Sequence, residues 1–179
     1  GNLVSRTAAM SLKYFDGVLC DKGAAEPVDE EVRSMALALY GKVAAKMDEF
    51  KIADALDEIF SFLRRCNKYI DETAPWVLAR DESKKDRLST VLYNLSESIV
   101  IAAGLLYPFL PETAEKIAKQ FNTSLRPCAP QEKFGLIENG SRVSPTEQHL
   151  FARKNYKDVE AEYERMHAEA EKEKPKQEK

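Results

Sequence analysis

The chain has 179 residues, of which 44% are hydrophobic and 32% are charged, and this composition is typical of a globular protein with one compact core. Its net charge is -3, which argues against a general electrostatic attraction for nucleic acid; any contact with RNA has to depend on a local patch and a few specific side chains. Cysteines at positions 20, 66 and 128 show no paired spacing. This argues against a zinc site or a disulfide framework and favours a reducing, cytoplasmic compartment.

Helical periodicity dominates the first part of the chain. Apolar residues that recur at three- and four-residue steps predict a first helix over residues 2–15, a second from about 29 to about 50 and a third over 52–73. Three acidic residues at 29–31 favour the start of the second helix, because negative charge stabilises the positive end of the helix dipole. Glycines and a proline between the first two helices predict a connecting loop over 17–27.

The second and third predicted helices each carry one long apolar stripe that we expect to face the core. The stripe of the second helix consists of Val32, Met35, Ala36, Leu39, Val43 and Met47. The inward face of the third helix is expected to consist of Leu56, Ile59, Phe60, Leu63, Asn67 and Ile70.

Proline interrupts the chain after the third helix. Pro75 disfavours the helical conformation in the residue before it and has no amide donor, so Trp76 should lie at a helix end. A fourth helix is predicted over 83–106 and a short fifth helix over 112–121. The apolar stretch at 99–110 is too short to cross a bilayer, so no membrane segment is expected.

The last part of the chain has a different composition. Residues 122–145 are rich in Pro, Gly, Asn and Ser, which predicts a loop that packs on the bundle through Phe134, Leu136 and Ile137. From about residue 168 the chain is charged and nearly free of apolar residues, which is typical of a solvated helix that frays into a linker. The sequence therefore predicts an all-α fold, a helical bundle of about five helices with a charged C-terminal helix or tail.

The residues carry no signal of catalytic chemistry. His149 and His167 are the only histidines, and His167 falls in a charged segment where a solvated surface position is favoured over a ligand position. A glycine-rich phosphate loop, paired metal ligands and a nucleophile motif are all missing from the sequence. We therefore expect no catalytic residue and no metal site in this chain.

Two polar residues near the start of the chain are the first candidates for a binding site. Asn2 and Arg6 are four residues apart on the first predicted helix and therefore lie on the same face. The asparagine amide offers a donor and an acceptor, and the guanidinium is a planar fork, so the pair can hydrogen-bond the edge of an unpaired base. By spacing alone, a solvated helix face or a cap at the helix start is the more common explanation of such a pair.

Trp76 is the next candidate and the single tryptophan of the chain. A lone tryptophan usually belongs to the core. At a helix end, however, an aromatic ring is also a platform on which an unpaired RNA base stacks, an interaction worth about 1–3 kcal/mol. The basic residues that surround it in sequence can form a local positive surface: Arg64, Arg65, Lys68, Arg80, Lys84, Lys85 and Arg87. For the last three, a solvated helix face is an equally good explanation.

Three segments, in this order and spacing, resemble one known family. They read GNLVSRT at 1–7, NKYIDETAPWVLAR at 67–80 and YPFLPETAEKI at 107–117. They are similar to successive helices of the C-terminal α-helical anticodon-binding domain of methionyl-tRNA synthetases. EQHLFAR at 147–153 is similar to the closing element of that domain, where a proline is expected in place of Ala152. The Asn-to-Arg pair together with Ala-Pro-Trp favours this enzyme over the leucyl, isoleucyl, valyl and cysteinyl synthetases.

The resemblance implies an anticodon-binding domain at 1–154, followed by a charged helix and linker at 155–179. It implies that Asn2, Arg6 and Trp76 contact the CAU anticodon of tRNA-Met, with Trp76 stacking on the first anticodon base. It also implies an upstream Rossmann catalytic domain in a parent methionine–tRNA ligase, and any ATP or zinc would bind there. The chain itself is expected to hold no cofactor and to be inactive alone.

Two other interpretations stay open at this point. In the first, the chain is a helical protein-interaction module that buries Trp76 in its core and docks a partner on the helix at about 158–173. In the second, the chain is the anticodon domain of a sister class I synthetase, which would bind a different tRNA. Exposure of the indole distinguishes an RNA-binding module from the first of these alternatives.

Overall fold

The computed structural model describes residues 1–145, 150–151 and 155–172, and its side chains are described as far as residue 167. Helices are the only regular elements in this part of the chain, apart from one isolated bridge between Val18 and Arg142. The predicted all-α fold is confirmed: α1, α2, α3, α5 and α6 form the bundle, α4 is a short connection, and α7 is the charged C-terminal helix. Their bounds are α1 Asn2–Phe15, α2 Pro27–Asp48, α3 Ile52–Thr73, α4 Pro75–Leu78, α5 Lys85–Leu106, α6 Pro111–Gln120 and α7 Tyr156–Lys172.

Local capping explains where α2 begins. Pro27 occupies the first helical position, where its missing amide costs nothing, and the Asp29 carboxylate accepts a hydrogen bond from the Glu26 amide at 2.7 Å. The helix therefore starts two residues before the predicted position. α1 and α3 have the predicted bounds. α6 begins one residue earlier than predicted, because Pro111 takes its first position, and it also ends one residue earlier.

The chain turns sharply after α3. Ala74 adopts a left-handed conformation with φ 41°, and Pro75 then opens the four-residue helix α4. A short 3-10 turn at Glu82–Lys84, capped by a hydrogen bond of 3.0 Å from the Ser83 amide to Asp81, leads into α5. The predicted fourth helix is therefore one 3-10 turn followed by α5.

α5 is the central helix of the bundle. All of its residues from 87 to 106 are buried, and α1, α2, α3, α4 and α6 pack around it. One helical segment of the described chain, Glu82–Leu106, is long and apolar enough to cross a bilayer, but its apolar window lies wholly inside the bundle. The central position of this helix in the core therefore explains its apolar character.

A buried polar network joins α2, α3 and α5. The Asp29 carboxylate, which has no exposed surface, accepts hydrogen bonds from the Arg87 guanidinium at 2.7 and 3.1 Å and from the Tyr69 hydroxyl. Asn94 donates to the Tyr69 oxygen at 3.2 Å and accepts from Arg33 at 2.9 Å. Burial, reinforced by the neighbouring Asp29 carboxylate, raises the pKa of Tyr69 above its ordinary value. These contacts hold the three helices in one register.

The loop at 122–145 is tied to α5 by a second buried carboxylate. Glu97 has no exposed surface and accepts hydrogen bonds from Arg126 at 2.9 Å and from the Ile137 amide at 3.0 Å. The Tyr93 hydroxyl donates to the Ile137 carbonyl at 2.5 Å. As predicted, this segment contains no helix and packs back on the bundle.

Three residues that were predicted to be buried are exposed. Leu136, Met47 and Phe60 have 37%, 38% and 42% of their surface exposed. Met47 lies in the last turn of α2, next to the solvent-exposed connection at 49–51, and Phe60 borders a groove between helices. The other residues of the two predicted stripes are buried or half-buried.

Several predictions concern residues outside the described part of the chain. The predicted domain boundary after residue 154 is one of them. Most of the closing element at 147–153, including His149 and Ala152, and the end of the tail at 173–179 are others. These stay predictions.

Candidate nucleic-acid interface

Trp76 lies on the solvent side of α4. Pro75 is buried and Leu78 is half-buried against the core, and these two residues anchor the short helix. Trp76 and Val77 have 40% and 50% of their surface exposed. The interpretation that places the indole in the core is therefore wrong. Proline fixes the backbone on one side of the ring, so the indole is presented by a rigid turn.

Asn2 and Arg6 lie in the first two turns of α1, beside its buried face. Asn2 is exposed and Arg6 is half-buried. Gly1 is the N-cap residue, so helix capping does not explain the asparagine. Arg6 makes no hydrogen bond or ion pair with another residue in the described part of the chain. The buried face of the helix consists of Leu3, Val4, Thr7, Ala8 and Ser11.

A groove of about 350 Å³ opens beside Asn2, between α1, α3, α5 and α6. Arg64 and Asn67 of α3 line the same groove. The Asn67 amide donates a hydrogen bond of 3.0 Å to the Leu63 carbonyl, which fixes its orientation and leaves its oxygen as an acceptor. The apolar walls of the groove include Phe60, Leu63, Ile99, Ala102, Leu106 and Leu110.

Asn67 was not recognised as a candidate from the sequence. It was predicted on the apolar face of the third helix, and Arg64 was noted only as one of several basic residues. Their spacing of three residues, which places both on one side of a helix, is the signal that would have paired them. Their position beside Asn2 depends on how α1 packs on α3, which no local pattern shows.

The helix directions give the order of the candidate residues along the bundle axis. Asn2 lies beside the last turns of α5, whereas the segment after α1 bonds to Thr90 near the start of α5, so α1 runs antiparallel to α5. α3 is antiparallel to α5 as well, because the short α4 joins its end to the start of α5. α1 and α3 are therefore parallel, and Arg6 lies one turn closer to α4 than Asn2. Asn67 precedes the end of α3 by about 9 Å along the axis, and Trp76 follows that end.

The positive surface around the indole is smaller than predicted. Arg65 pairs with Glu31 and Glu72, each at 2.9 Å, and the hydrogen bonds that its guanidinium donates to Glu31 raise the pKa of Arg65. Lys68 lies 3.4 Å from Glu72. Arg87 is 8% exposed and belongs to the buried network, so its predicted position on a positive surface is wrong.

The remaining four of the seven basic residues differ in whether a carboxylate lies beside them. Lys84 and Lys85 form long surface contacts, at 4.0 and 3.4 Å to neighbouring carboxylates, which fits the solvated helix face. Arg64 and Arg80 are exposed and form no ion pair with another residue that the structure describes. Together with Arg6, these two arginines are the candidates for contact with a phosphate.

Comparison with known proteins assigns the chain to a family. The family model described as the anticodon-binding domain of tRNA ligase matches residues 29–173. The chain belongs to this family. The match begins in the first turn of α2 and extends to the end of α7, so α1 with Asn2 and Arg6 lies outside it.

Curated relatives of this anticodon-binding domain are methionine–tRNA ligases. The enzyme of Clostridium tetani is 45% identical over 168 residues, which cover 94% of this chain and 26% of that protein. The enzyme of Clostridium acetobutylicum is 50% identical over 147 residues, which cover 82% of this chain and 23% of that protein. The chain spans about a quarter of the length of these relatives.

Solved structures of Mycobacterium tuberculosis methionyl-tRNA synthetase share the fold of this domain. The apo form has a TM-score of 0.78 and 29% identity, covering 87% of this chain and 32% of that chain. The form bound by methionyl-adenylate has a TM-score of 0.77, covering 85% of this chain and 30% of that chain. The relatives and structures named here are all methionine–tRNA ligases, which favours this enzyme over the leucyl, isoleucyl, valyl and cysteinyl synthetases.

Proposed function

We propose that this chain binds the anticodon loop of tRNA-Met and recognises its CAU anticodon, as part of a methionine–tRNA ligase that joins methionine to this tRNA with ATP. One observation supports the proposal above all. The indole of Trp76 is exposed just beyond the end of α3, while Asn2 and Arg6 lie on α1, which runs parallel to α3. An anticodon loop presents unpaired bases on a phosphate backbone, and these residues offer a stacking surface and two polar groups.

Trp76 contributes affinity by stacking on the first anticodon base. Pro75 fixes the backbone and Leu78 anchors α4, so the ring loses little freedom when a base stacks on it. Stacking of a base on an aromatic side chain is worth about 1–3 kcal/mol and tolerates any base. Specificity for CAU must therefore come from other residues.

Asn2 and Arg6 supply the base-specific contacts. An amide donates and accepts at once, which suits the edge of cytosine or adenine, and a guanidinium donates parallel hydrogen bonds to acceptors on a base. Arg6 is half-buried, so the aliphatic part of its side chain is ordered before RNA binds. No other described residue forms a hydrogen bond or an ion pair with its guanidinium. Arg64 and Arg80 neutralise nearby phosphates.

The chemical steps belong to parts of the ligase outside this chain. We place ATP, methionine and any zinc ion in an upstream Rossmann domain, and the whole enzyme in the cytoplasm. Among the described residues of this chain, no group of three or more His, Cys, Asp or Glu side chains is arranged to hold a metal ion. The chain alone is proposed to bind tRNA without charging it.

Titration of a fluorescent anticodon stem-loop tests this function. The RNA carries the CAU anticodon, and the wild-type chain is compared with Trp76→Ala at fixed salt. Loss of the stacking surface is expected to weaken binding by about 1–3 kcal/mol. Val77→Ala is the matched control, because Val77 is similarly exposed on the same short helix and is expected to leave the affinity unchanged.

Stem-loops with other anticodons separate recognition of CAU from general RNA binding. The wild-type chain is expected to bind the CAU loop at least about tenfold more tightly than loops in which one anticodon base is changed. Equal binding by the wild-type chain and Trp76→Ala, with unchanged circular dichroism, would contradict the proposed site. Tighter binding of a leucyl, isoleucyl, valyl or cysteinyl anticodon loop would favour a sister synthetase.

A further inference from the structure

One face of α7 carries a row of exposed apolar side chains. Tyr156, Val159, Tyr163 and Met166 follow one another at steps of three, four and three residues, and so lie within an arc of about 80° on the helix. Their exposed fractions are 76%, 39%, 62% and 64%. The His167 ring packs on Tyr163 with 4.5 Å between the ring centroids and extends the same face. We refer to the first four residues as the α7 stripe.

No other described residue buries the α7 stripe. Every side chain from residue 155 to residue 167 is exposed. A helix of 17 residues whose apolar face is left exposed by the described residues is marginal in water, because most helical stability in proteins comes from packing of an apolar face. The three-and-four spacing is that of a coiled-coil seam, whose apolar residues insert between those of a facing helix. The α7 stripe therefore fits a single helix better than a flat surface.

The charges beside the α7 stripe define the kind of helix that fits it. Glu160 and Glu164 follow one edge of the stripe, and Asp158 and Glu162 follow the other. Charged residues that flank the apolar seam between two helices determine which helices pair, because opposite charges attract across the seam. We propose that the α7 stripe docks an amphipathic helix from outside this chain whose own apolar seam is edged with Lys and Arg.

Two other occupants fit the acidic edges less well. A second copy of this chain would bring further carboxylates to the pair, and like charges oppose association. RNA phosphates would be repelled by the same carboxylates, so the α7 stripe is distinct from the proposed anticodon site. The docking proposal stands whether or not Trp76 binds RNA.

Binding of synthetic helical peptides to the full chain tests this proposal. The basic probe is a peptide with Leu at the seam positions and Lys at the edge positions, and the acidic probe has Glu at the edges instead. Fluorescence anisotropy is expected to show binding of the basic probe and none of the acidic probe. Tyr163→Glu combined with Met166→Glu is expected to weaken this binding at least about tenfold, because the apolar contact is lost. Both substitutions add negative charge to α7. If charge alone held the basic probe, this variant would bind the probe more tightly than the wild-type chain does.

Ala161→Glu combined with Arg165→Gln is the matched control. It makes the same change in net charge on the opposite side of α7, with residues that favour helices, and is expected to change the affinity less than about twofold. Three outcomes overturn the proposal: failure of the wild-type chain to bind the basic probe, equal or tighter binding by the stripe variant, and self-association of the wild-type chain that the stripe variant abolishes. Circular dichroism checks the helix content of each variant.

Discussion

Arg87 of α5 donates two hydrogen bonds to Asp29 of α2, at 2.7 and 3.1 Å, and the carboxylate that accepts them has no exposed surface. Removing one partner of such a pair is costly, because the other charge is then buried without compensation. The Tyr69 hydroxyl donates to the same carboxylate, so the pair also ties α3 to α2 and α5. A residue that the sequence suggested as part of a surface charge run thus belongs to the core.

Removal of this arginine should destabilise the whole bundle. Arg87→Met leaves Asp29 buried without its counter-charge, and the free energy of unfolding is expected to fall by about 3–5 kcal/mol. Urea denaturation followed by circular dichroism measures the change. Lys84→Met is the control, since Lys84 is exposed in the same charge run and is expected to change stability by less than about 0.5 kcal/mol. Equal stabilities of the two variants would show that the buried pair is not formed.

Gly104 allows the loop after α6 to approach α5. A Cβ atom at this position would lie 2.4 Å from the Arg126 carbonyl oxygen, so Gly104→Ala is expected to destabilise the chain by about 1–3 kcal/mol. Gly41→Ala is the matched control, because a Cβ there has no neighbour within 4 Å and alanine favours the helix by about 0.5–1 kcal/mol. Thermal melts should therefore shift in opposite directions, and a stable Gly104→Ala would contradict the close approach.

The cysteines should differ in reactivity. Cys66 has no exposed surface, and burial raises its pKa to about 12, whereas Cys128 is exposed. Because the thiolate is the reactive form, N-ethylmaleimide at about pH 8 is expected to label Cys128 in the folded chain and Cys66 only after denaturation. Mass spectrometry of peptides before and after addition of urea measures both sites. Labelling of Cys66 as fast as Cys128 without denaturant would show that α3 is not packed against α5.

Substitutions beside the groove should separate base recognition from phosphate binding. Asn2→Ala is expected to weaken binding of the CAU stem-loop by about 1–3 kcal/mol and to affect other loops less, because a base contact is lost. Arg64→Gln is expected to weaken binding of every loop alike and to lower the slope of log affinity against log salt by about 0.7–1. Fluorescence titrations at several salt concentrations measure both effects. A uniform loss in Asn2→Ala, or an unchanged slope in Arg64→Gln, would reject the assigned contacts.

Local signals predicted most helix boundaries. The end of α3 followed from Pro75, because proline restricts the residue before it and lacks an amide donor. The starts of α2 and α6 were displaced by one or two residues, since Pro27 and Pro111 open these helices ahead of their apolar residues.

The candidate site could be predicted only in part. Asn2, Arg6 and Trp76 were predicted because short motifs around them resemble those of the methionyl-tRNA synthetase anticodon-binding domain. Their contacts with RNA stay a prediction. The sequence left both a buried and an exposed indole possible. The structure shows that the indole is exposed. Pro75 and Leu78 pack on the core and leave Trp76 on the outer side of a four-residue helix.

The sequence by itself determined the all-α fold, the main helices and the charged tail, because apolar periodicity and proline act over a few neighbouring residues. Only the tertiary structure decided which charges are available to a ligand. Arg87 pairs with a residue 58 positions away and Arg65 with one 34 positions away, while Arg64 remains exposed. Residues so distant in sequence come into contact only when the helices pack, and no local sequence pattern predicts that contact.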